Sequence, residues 1–90
     1  MKTIKELANM GERVYVHLND EETAMRFLRQ AESEGFTFGD GVSPTDRHWS
    51  DLYAIHPDCT LNYVSTNGRI LYSSALNDLL RIEYADLITR

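Results

Sequence analysis

The apolar residues between positions 20 and 34 constrain the fold of this chain more than any other feature, because they recur with the period of a helix. They occupy the i, i+3, i+4 and i+7 positions of one helical face: Ala24, Phe27, Leu28 and Ala31. Asn19 suits the N-cap, Glu22 the capping-box position and Gly35 the left-handed C′ position. The sequence therefore predicts a helix over residues 20–34 that packs its apolar face on a sheet.

Shorter elements are predicted around this helix. Thr3 and Glu6 are spaced as a capping box, which predicts a short N-terminal helix with Gly11 as its C′ glycine. Residues 13–18 alternate between apolar and polar side chains, as a half-buried strand does. Residues 36–38 are extended again, so the strand, the helix and the returning strand predict a βαβ-like or split unit.

A hairpin is predicted over residues 61–74, because Asn67-Gly68 is the strongest short-range signal for a tight turn between two strands. Residues 79–84 are predicted to form a last strand, followed by a tail that docks on the sheet. The length fits a single domain over residues 1–90. We expect an α+β fold with a small, mostly antiparallel sheet of roughly three to five strands, one long helix packed on one face and a short N-terminal helix.

The composition narrows the expected partners and location. The 14 acidic and 9 basic residues give a formal net charge of -5, which disfavours binding to nucleic acid. Cys59 is the single cysteine, no stretch is apolar enough to span a membrane, and the N-terminus lacks a signal-peptide pattern. We therefore expect a cytoplasmic protein without nucleic-acid or membrane partners. A 90-residue chain has a thin core, which favours homo-oligomerisation as a way to bury more surface.

Residues 39–59 are the most promising place for function, since structureless loops beyond about 12–15 residues are uncommon in compact domains. Ser43 and Pro44 predict the start of a short helix that continues through Trp49 to Tyr53. Two interpretations stay open for Trp49 and Tyr53. Either they pack onto the sheet as a flap, or they form a pocket wall that stacks on a planar ligand.

Polar residues in the same segment fit an anionic ligand. Gly39-Asp40-Gly41 is either a tight turn after a strand or a nest of backbone N–H groups that binds an anion. Arg47 and His48 follow closely and can carry positive charge. The predicted ligand-binding residues are Asp40, Arg47, His48, Trp49 and Tyr53.

Metal binding and catalysis have less support in this segment. A zinc site could be drawn only from residues that lack the usual ligand spacing: His48, His56, Asp58 and Cys59. Cys59 could pair with either histidine as a nucleophile and base, but no third group or oxyanion hole is evident. We therefore expect no metal, no cofactor and no catalytic residue, and we interpret the acidic residues of the long helix as a solvated face.

Residues 14–46 carry a set of short motifs. They are Val14-Tyr15-Val16-His17, Glu21-Glu22-Thr23-Ala24, Phe27-Leu28, Gly35-Phe36-Thr37-Phe38, Gly41 and Pro44-Thr45. In these residues the chain resembles a loose family of small α+β proteins encoded by phages and prophages of Firmicutes and other gut bacteria. The resemblance covers about two-thirds of the chain when the hairpin and last strand are included, and it implies an accessory protein that acts without catalysis.

The residues and this resemblance together lead to three functional hypotheses. The first is a non-enzymatic protein that counters host antiviral defence by sequestering a nucleotide-like immune signal in the host cytoplasm, as a homo-oligomer. The second is a protein–protein inhibitor of a host defence complex, such as a CRISPR effector, that acts through its acidic surface. The third is a small metal- or cysteine-dependent enzyme, which would need Cys59 and His48 for activity.

Overall fold

A computed structural model describes residues 3–11, 13–64 and 79–88 of the chain. Its first helix, α1 (Ile4–Ala8), begins with the predicted capping box, in which the Thr3 hydroxyl accepts from the backbone N–H of Glu6. The carboxylate of Glu34 accepts from the N–H groups of the first two residues of α1, at 3.0 and 3.1 Å. Glu34 therefore joins α1 to the end of the next helix, and the prediction that it belongs to a solvated face is wrong.

The helix predicted over residues 20–34 is α2 (Glu21–Ser33), and its apolar stripe is buried. Its N-cap is Asp20 rather than Asn19, because the Asp20 side chain accepts from the backbone N–H of Thr23 at 2.8 Å. The same hydrogen bond holds the pKa of Asp20 below its usual value. The helix therefore begins one residue later than the capping-box spacing predicts.

The two glycines predicted to end helices behave differently. Gly35 has a φ of 86°, and the N–H of Phe36 reaches the carbonyl of Ala31 at 2.9 Å, as in a Schellman motif. Gly11 does not take a left-handed conformation, and the residue that caps the end of α1, Asn9, has a φ of -89°. The Asn9 N–H already meets carbonyls of the last turn of α1, so this helix closes without a left-handed residue.

Within the described residues, five strands form one mixed sheet in the order β2-β4-β3-β1-β5. They are β1 (Arg13–His17), β2 (Thr37–Phe38), β3 (Leu52–His56), β4 (Thr60–Tyr63) and β5 (Leu79–Glu83). β3 is antiparallel to β1 and β4, whereas β5 is parallel to β1 and β2 is parallel to β4. The α+β class is confirmed, but the expectation of a mostly antiparallel sheet is wrong.

The parallel pairing of β2 with β4 arises from the way α2 returns the chain. α2 connects β1 to β2 in the same direction, while β3 and β4 insert between them, which gives a split βαβ arrangement. The last strand, β5, then joins the outer edge of β1. A 3-10 helix (Pro44–Asp46) and a third α-helix, α3 (Tyr84–Ile88), are the other described elements.

The central strand β3 lies where the sequence predicts the end of a short helix. Pro44 does begin a helical turn, but this turn stops at Asp46, and the chain is extended from Leu52. Four consecutive residues of β3 are buried: Leu52, Tyr53, Ala54 and Ile55. A strand covered on both faces loses the two-residue alternation, so periodicity cannot distinguish it from a buried helical segment.

The two faces of the sheet differ in what they bury. On the helix side, Val16 of β1 and Ile55 of β3 join the apolar stripe of α2 in the main core. The opposite face carries a smaller buried cluster of Leu52, Ala54 and Val64, with Tyr15 packed against it. This division puts Tyr53 and its cross-strand partner Tyr63 on the helix side.

The hairpin predicted over residues 61–74 lies outside the described residues beyond position 64. Within the described part, Leu61 pairs with Ile55 of β3 on one side and with Phe38 of β2 on the other. The predicted last strand is present as β5. The predicted tail is the helix α3, and the ring contact of its Tyr84 is with Phe27 of α2.

Candidate functional site

Aromatic rings form a continuous row across the helix-side face, from α3 to the outer edge made by β2 and β4. The Phe27 ring lies 5.7 Å from that of Tyr53 and meets Tyr84 edge to face at 5.4 Å. Tyr53 lies 5.5 Å from Tyr63, whose ring lies 5.3 Å from Phe38. The row is fully buried at Phe27 and Tyr53 and reaches the surface at Tyr63, which is 39% exposed.

An open cleft lies at the surface end of this row. Its volume is about 250 Å³, and the described residues that line it are Phe38, Gly39, Asp40, Arg47, Leu61, Asn62 and Tyr63. Phe38 and Leu61 are buried and give the cleft an apolar floor, while Tyr63 presents an accessible phenol ring. The cleft therefore combines apolar surface, an aromatic wall and a pair of opposite charges.

Arg47 supplies the positive charge of the cleft. Its guanidinium carbon lies 5.0 Å from the centre of the Phe38 ring, and the guanidinium donates a hydrogen bond to the Asp40 carboxylate. The side chains of Arg47 and Asp40 are 38% and 54% exposed. Ion pairs this exposed typically stabilise a protein by no more than about 1 kcal/mol, so this pair can open at small cost.

A tight turn after β2 positions Asp40. The N–H of Gly41 donates to the carbonyl of Phe38 at 2.8 Å, and Gly41 has a φ of 89°. The Asp40 carboxylate accepts from the N–H of Val42 at 3.2 Å, as in an Asx turn. The N–H groups of Gly41 and Val42 are thus engaged within the loop, which favours the tight-turn interpretation over the anion nest.

The segment that carries Arg47 is tied to the helix-side face on both sides of that residue. The Thr45 hydroxyl donates to a glutamate of α2 at 2.7 Å. The Tyr63 hydroxyl donates to the backbone carbonyl of His48, and the backbone N–H of Ser50 donates to the Tyr53 hydroxyl at 2.9 Å. These contacts fix the path of the chain over the cleft, so Arg47 projects from an anchored segment.

The structure brings together part of the predicted ligand site. Asp40 and Arg47 meet in the cleft, and His48 approaches it through the carbonyl that accepts from Tyr63. Trp49 is 36% exposed, Tyr53 is fully buried, and neither is among the described residues that line the cleft. Tyr53 is therefore a core residue, as it is in the interpretation that packs it onto the sheet, but it belongs to strand β3 and not to a flap.

The aromatic residues of the cleft, Phe38 and Tyr63, are not among the ligand-binding residues predicted from the sequence. Phe38 directly precedes the Gly39-Asp40-Gly41 turn, and Tyr63 belongs to the strand-forming run before Asn67-Gly68. A turn that follows a strand brings its polar residue near the side chain that ends the strand, so the Gly39-Asp40-Gly41 turn is a signal that could have identified Phe38. Tyr63 has no comparable signal, because its place depends on the pairing of β4 with β3, which no local sequence pattern indicates.

The hydroxyl of Tyr53 is buried behind the cleft and takes part in the fold. Burial raises the pKa of Tyr53 to about 12, and the hydrogen bond from the Ser50 N–H acts in the opposite direction. The Tyr53 hydroxyl therefore stays protonated at neutral pH and serves as an acceptor for the backbone. What the cleft itself offers is ring stacking on Tyr63 and charge pairing with Arg47.

The residues considered for metal binding have other contacts. His56 Nε2 lies 2.6 Å from the side-chain oxygen of Asn62, and Asp58 accepts from the Thr60 hydroxyl at 2.5 Å, which lowers the pKa of Asp58. Cys59 ends the turn between β3 and β4 with a φ of 67°. Within residues 3–11, 13–64 and 79–88, no group of three or more His, Cys, Asp or Glu side chains is placed to hold a metal ion.

Comparison with protein-family models, with curated proteins and with solved structures gives no match. The resemblance to phage and prophage proteins therefore stays a prediction, as do the expected homo-oligomer, the inhibition of a host protein and the absence of enzyme activity. The helices in the described part of the chain are too short or too polar to cross a membrane.

Proposed function

We propose that this protein is a non-catalytic binding protein whose cleft holds a nucleotide-like small molecule. The observation that carries the proposal is the meeting of an accessible tyrosine ring, an arginine and an apolar floor in one cleft, at Tyr63, Arg47 and Phe38. In the phage setting that the resemblance implies, such binding sequesters an immune signal of the host.

Stacking on Tyr63 supplies part of the affinity. The Tyr63 ring is held by the Phe38 and Tyr53 rings on its protein side and by the hydrogen bond of its hydroxyl to the His48 carbonyl. A ring that is already fixed loses little conformational entropy when a base stacks on it. Stacking of a base on an aromatic side chain contributes about 1–3 kcal/mol, which is about five- to 150-fold in affinity.

Charge pairing with Arg47 supplies the other part of the affinity. Arg47 presents a planar guanidinium that suits phosphate oxygens, and it lies over Phe38 at the floor of the cleft. The chain as a whole is acidic, with a net charge of -5, so attraction for an anion must come from local contacts rather than from the overall field. Arg47 is the cation among the described lining residues.

The size of the cleft limits what it can hold. A volume of about 250 Å³ is small beside typical ligand pockets of about 300–1,000 Å³. One nucleotide unit is the largest ligand portion that suits such an open site. A larger ligand would leave its remaining part in solvent or on a second copy of the chain.

The proposal is tested by isothermal titration calorimetry with nucleoside 5′-monophosphates, cyclic di- and trinucleotides and ADP-ribose. We expect heat of binding with at least one of these classes. The affinity should fall about tenfold or more in Tyr63→Ala and in Arg47→Gln, since each variant removes one of the two contacts.

Matched controls separate these effects from general damage to the fold. Met10 is 54% exposed and Arg29 is an exposed residue of α2, so Met10→Ala and Arg29→Gln remove one exposed apolar side chain and one exposed cation elsewhere on the surface. Both controls should bind as the wild type does. Absence of heat with every ligand class contradicts the proposal, and capture of a host defence complex by the same protein would then favour the inhibitor hypothesis.

A further inference from the structure

The cation of the cleft already has an anion beside it. Arg47 donates a hydrogen bond to the Asp40 carboxylate, and both residues line the cleft. Any ligand anion that approaches Arg47 therefore meets an intramolecular competitor. The competitor is held near Arg47 by the turn after β2, where Asp40 also accepts from the N–H of Val42.

Because of this competition, the charge of the ligand determines whether the ligand replaces Asp40 on Arg47. A phosphodiester carries one negative charge, so its exchange for the Asp40 carboxylate replaces one singly charged partner of Arg47 by another. A terminal phosphate monoester carries about 1.5 to 2 negative charges at neutral pH and three acceptor oxygens. It interacts more strongly with a guanidinium than a carboxylate does, because Coulomb attraction scales with charge and because it offers more acceptor oxygens.

Displacement of Asp40 is physically accessible. Its side chain is 54% exposed, so water can solvate the released carboxylate. The Arg47 guanidinium carbon also lies 5.0 Å from the centre of the Phe38 ring, and this contact does not involve Asp40. The exchange therefore needs a change of one side-chain partner and no movement of the sheet.

We infer that the Asp40 carboxylate is an intramolecular competitor for Arg47, so that the wild-type cleft gains affinity from a terminal phosphate monoester but little from a phosphodiester. This inference rests on the proposed function, since it assigns the ligand class of the same cleft. A nucleotide base stacks on Tyr63, and its monoester group replaces the Asp40 carboxylate on Arg47. A ligand with too little charge leaves the Asp40–Arg47 pair closed and gains only the stacking contact.

The experiment compares three ligands that share one base. Adenosine, adenosine 3′,5′-cyclic monophosphate and adenosine 5′-monophosphate, and the matching guanosine series, are titrated into the wild type and into Asp40→Asn. The asparagine keeps the side-chain oxygen that accepts from Val42 but removes the charge that competes for Arg47. Circular dichroism and the affinity for the nucleoside show whether the variant keeps the fold and the stacking surface.

For the wild type we expect the 5′-monophosphate to bind about tenfold more tightly than the cyclic monophosphate, and the cyclic monophosphate to bind about as well as the nucleoside. In Asp40→Asn both phosphate ligands should bind about three- to tenfold more tightly than they bind the wild type, with the nucleoside unchanged.

Two results would overturn the inference while leaving the proposed function in place. One is wild-type protein that binds the cyclic monophosphate as tightly as the 5′-monophosphate, which needs no variant to observe. The other is a folded Asp40→Asn protein in which the affinity for the 5′-monophosphate is unchanged or lower, because Asp40 would then position Arg47 rather than compete for it. If no ligand of either series or of the wider panel binds the wild type, the proposed function itself has failed.

Discussion

Tyr53 and Tyr63 are direct partners across β3 and β4, yet they lie in opposite environments. Their rings are 5.5 Å apart, and both hydroxyl groups make a hydrogen bond with the backbone of residues 48–50. Tyr53 is fully buried and stacks on Phe27, whereas Tyr63 is 39% exposed and borders the cleft. The same residue type therefore stabilises the core at one position and is available to a ligand at the next.

The difference follows from what covers each ring. α2 covers Tyr53 through Phe27, and the anchored segment with Ser50 closes over its hydroxyl. β2 ends at Phe38, which pairs with Leu61 of β4. The next two residues of β4, Asn62 and Tyr63, therefore have no partner in β2. A short edge strand thus leaves one end of the aromatic row open and creates the cleft.

The largest difference expected between the two tyrosines is the loss of stability when each is replaced by alanine. Replacement of the fully buried Tyr53 by alanine should lower the free energy of unfolding by about 3–5 kcal/mol, as for other large core aromatics. Tyr63→Ala removes an exposed ring and one hydrogen bond, so the expected loss is only about 1 kcal/mol. Urea unfolding followed by circular dichroism measures both. Equal losses would show that Tyr63 is a core residue rather than a cleft residue.

A second effect depends on pH. The folded pKa of Tyr53 is about 12 against a reference value of 10.0, so the neutral hydroxyl stabilises the fold and its contribution is fully present below pH 10. As the pH rises from 10 to 12, the unfolded chain loses this proton first, and about 2–3 kcal/mol of stability is lost. Denaturant unfolding at a series of alkaline pH values measures the loss.

Tyr53→Phe is the matched variant for the alkaline experiment, because it keeps the ring and removes the ionisable hydroxyl. Its stability should fall less between pH 10 and pH 12 than that of the wild type. Tyr84, whose pKa burial also raises, contributes to both proteins and so cancels from the comparison. An identical fall in the two proteins would assign the pH dependence to other groups.

The smallest expected effect on stability concerns the turn between β3 and β4, which sets the register that pairs Tyr53 with Tyr63. Cys59 has a φ of 67° after a turn closed by its N–H and the carbonyl of His56. Glycine takes this conformation without strain, so Cys59→Gly should raise the free energy of unfolding by about 0.5–1 kcal/mol. Cys59→Ala serves as the control and should not stabilise the protein. Thermal unfolding of the three proteins gives the order, and a Cys59→Gly protein less stable than the alanine variant would contradict the strained turn.

The sequence allowed α1, α2 and the strands β1, β2 and β5 to be predicted, because each carries a local signal, whereas α3 was expected only as a tail. The stripe of α2 and the capping box at Thr3 are examples, and both are present. The sequence does not predict β3, because burial on both faces removes the alternation of its side chains. Without β3, the pairing that brings Tyr63 beside Tyr53 cannot be predicted either. In the site, Asp40 and Arg47 were chosen from their chemistry, whereas Phe38 and Tyr63 reach the cleft through strand pairing that no local pattern encodes.

The most direct test of the account is a nuclear magnetic resonance titration of isotope-labelled protein with adenosine and guanosine 5′-monophosphates. The account predicts that the signals of the Tyr63 ring and the Arg47 guanidinium move together and saturate with one affinity, while the signals of Met10 and Arg29 stay in place. Saturable shifts that cluster away from Tyr63 and Arg47, or no shifts with any nucleotide, would contradict the claim that the exposed end of the aromatic row is a binding site.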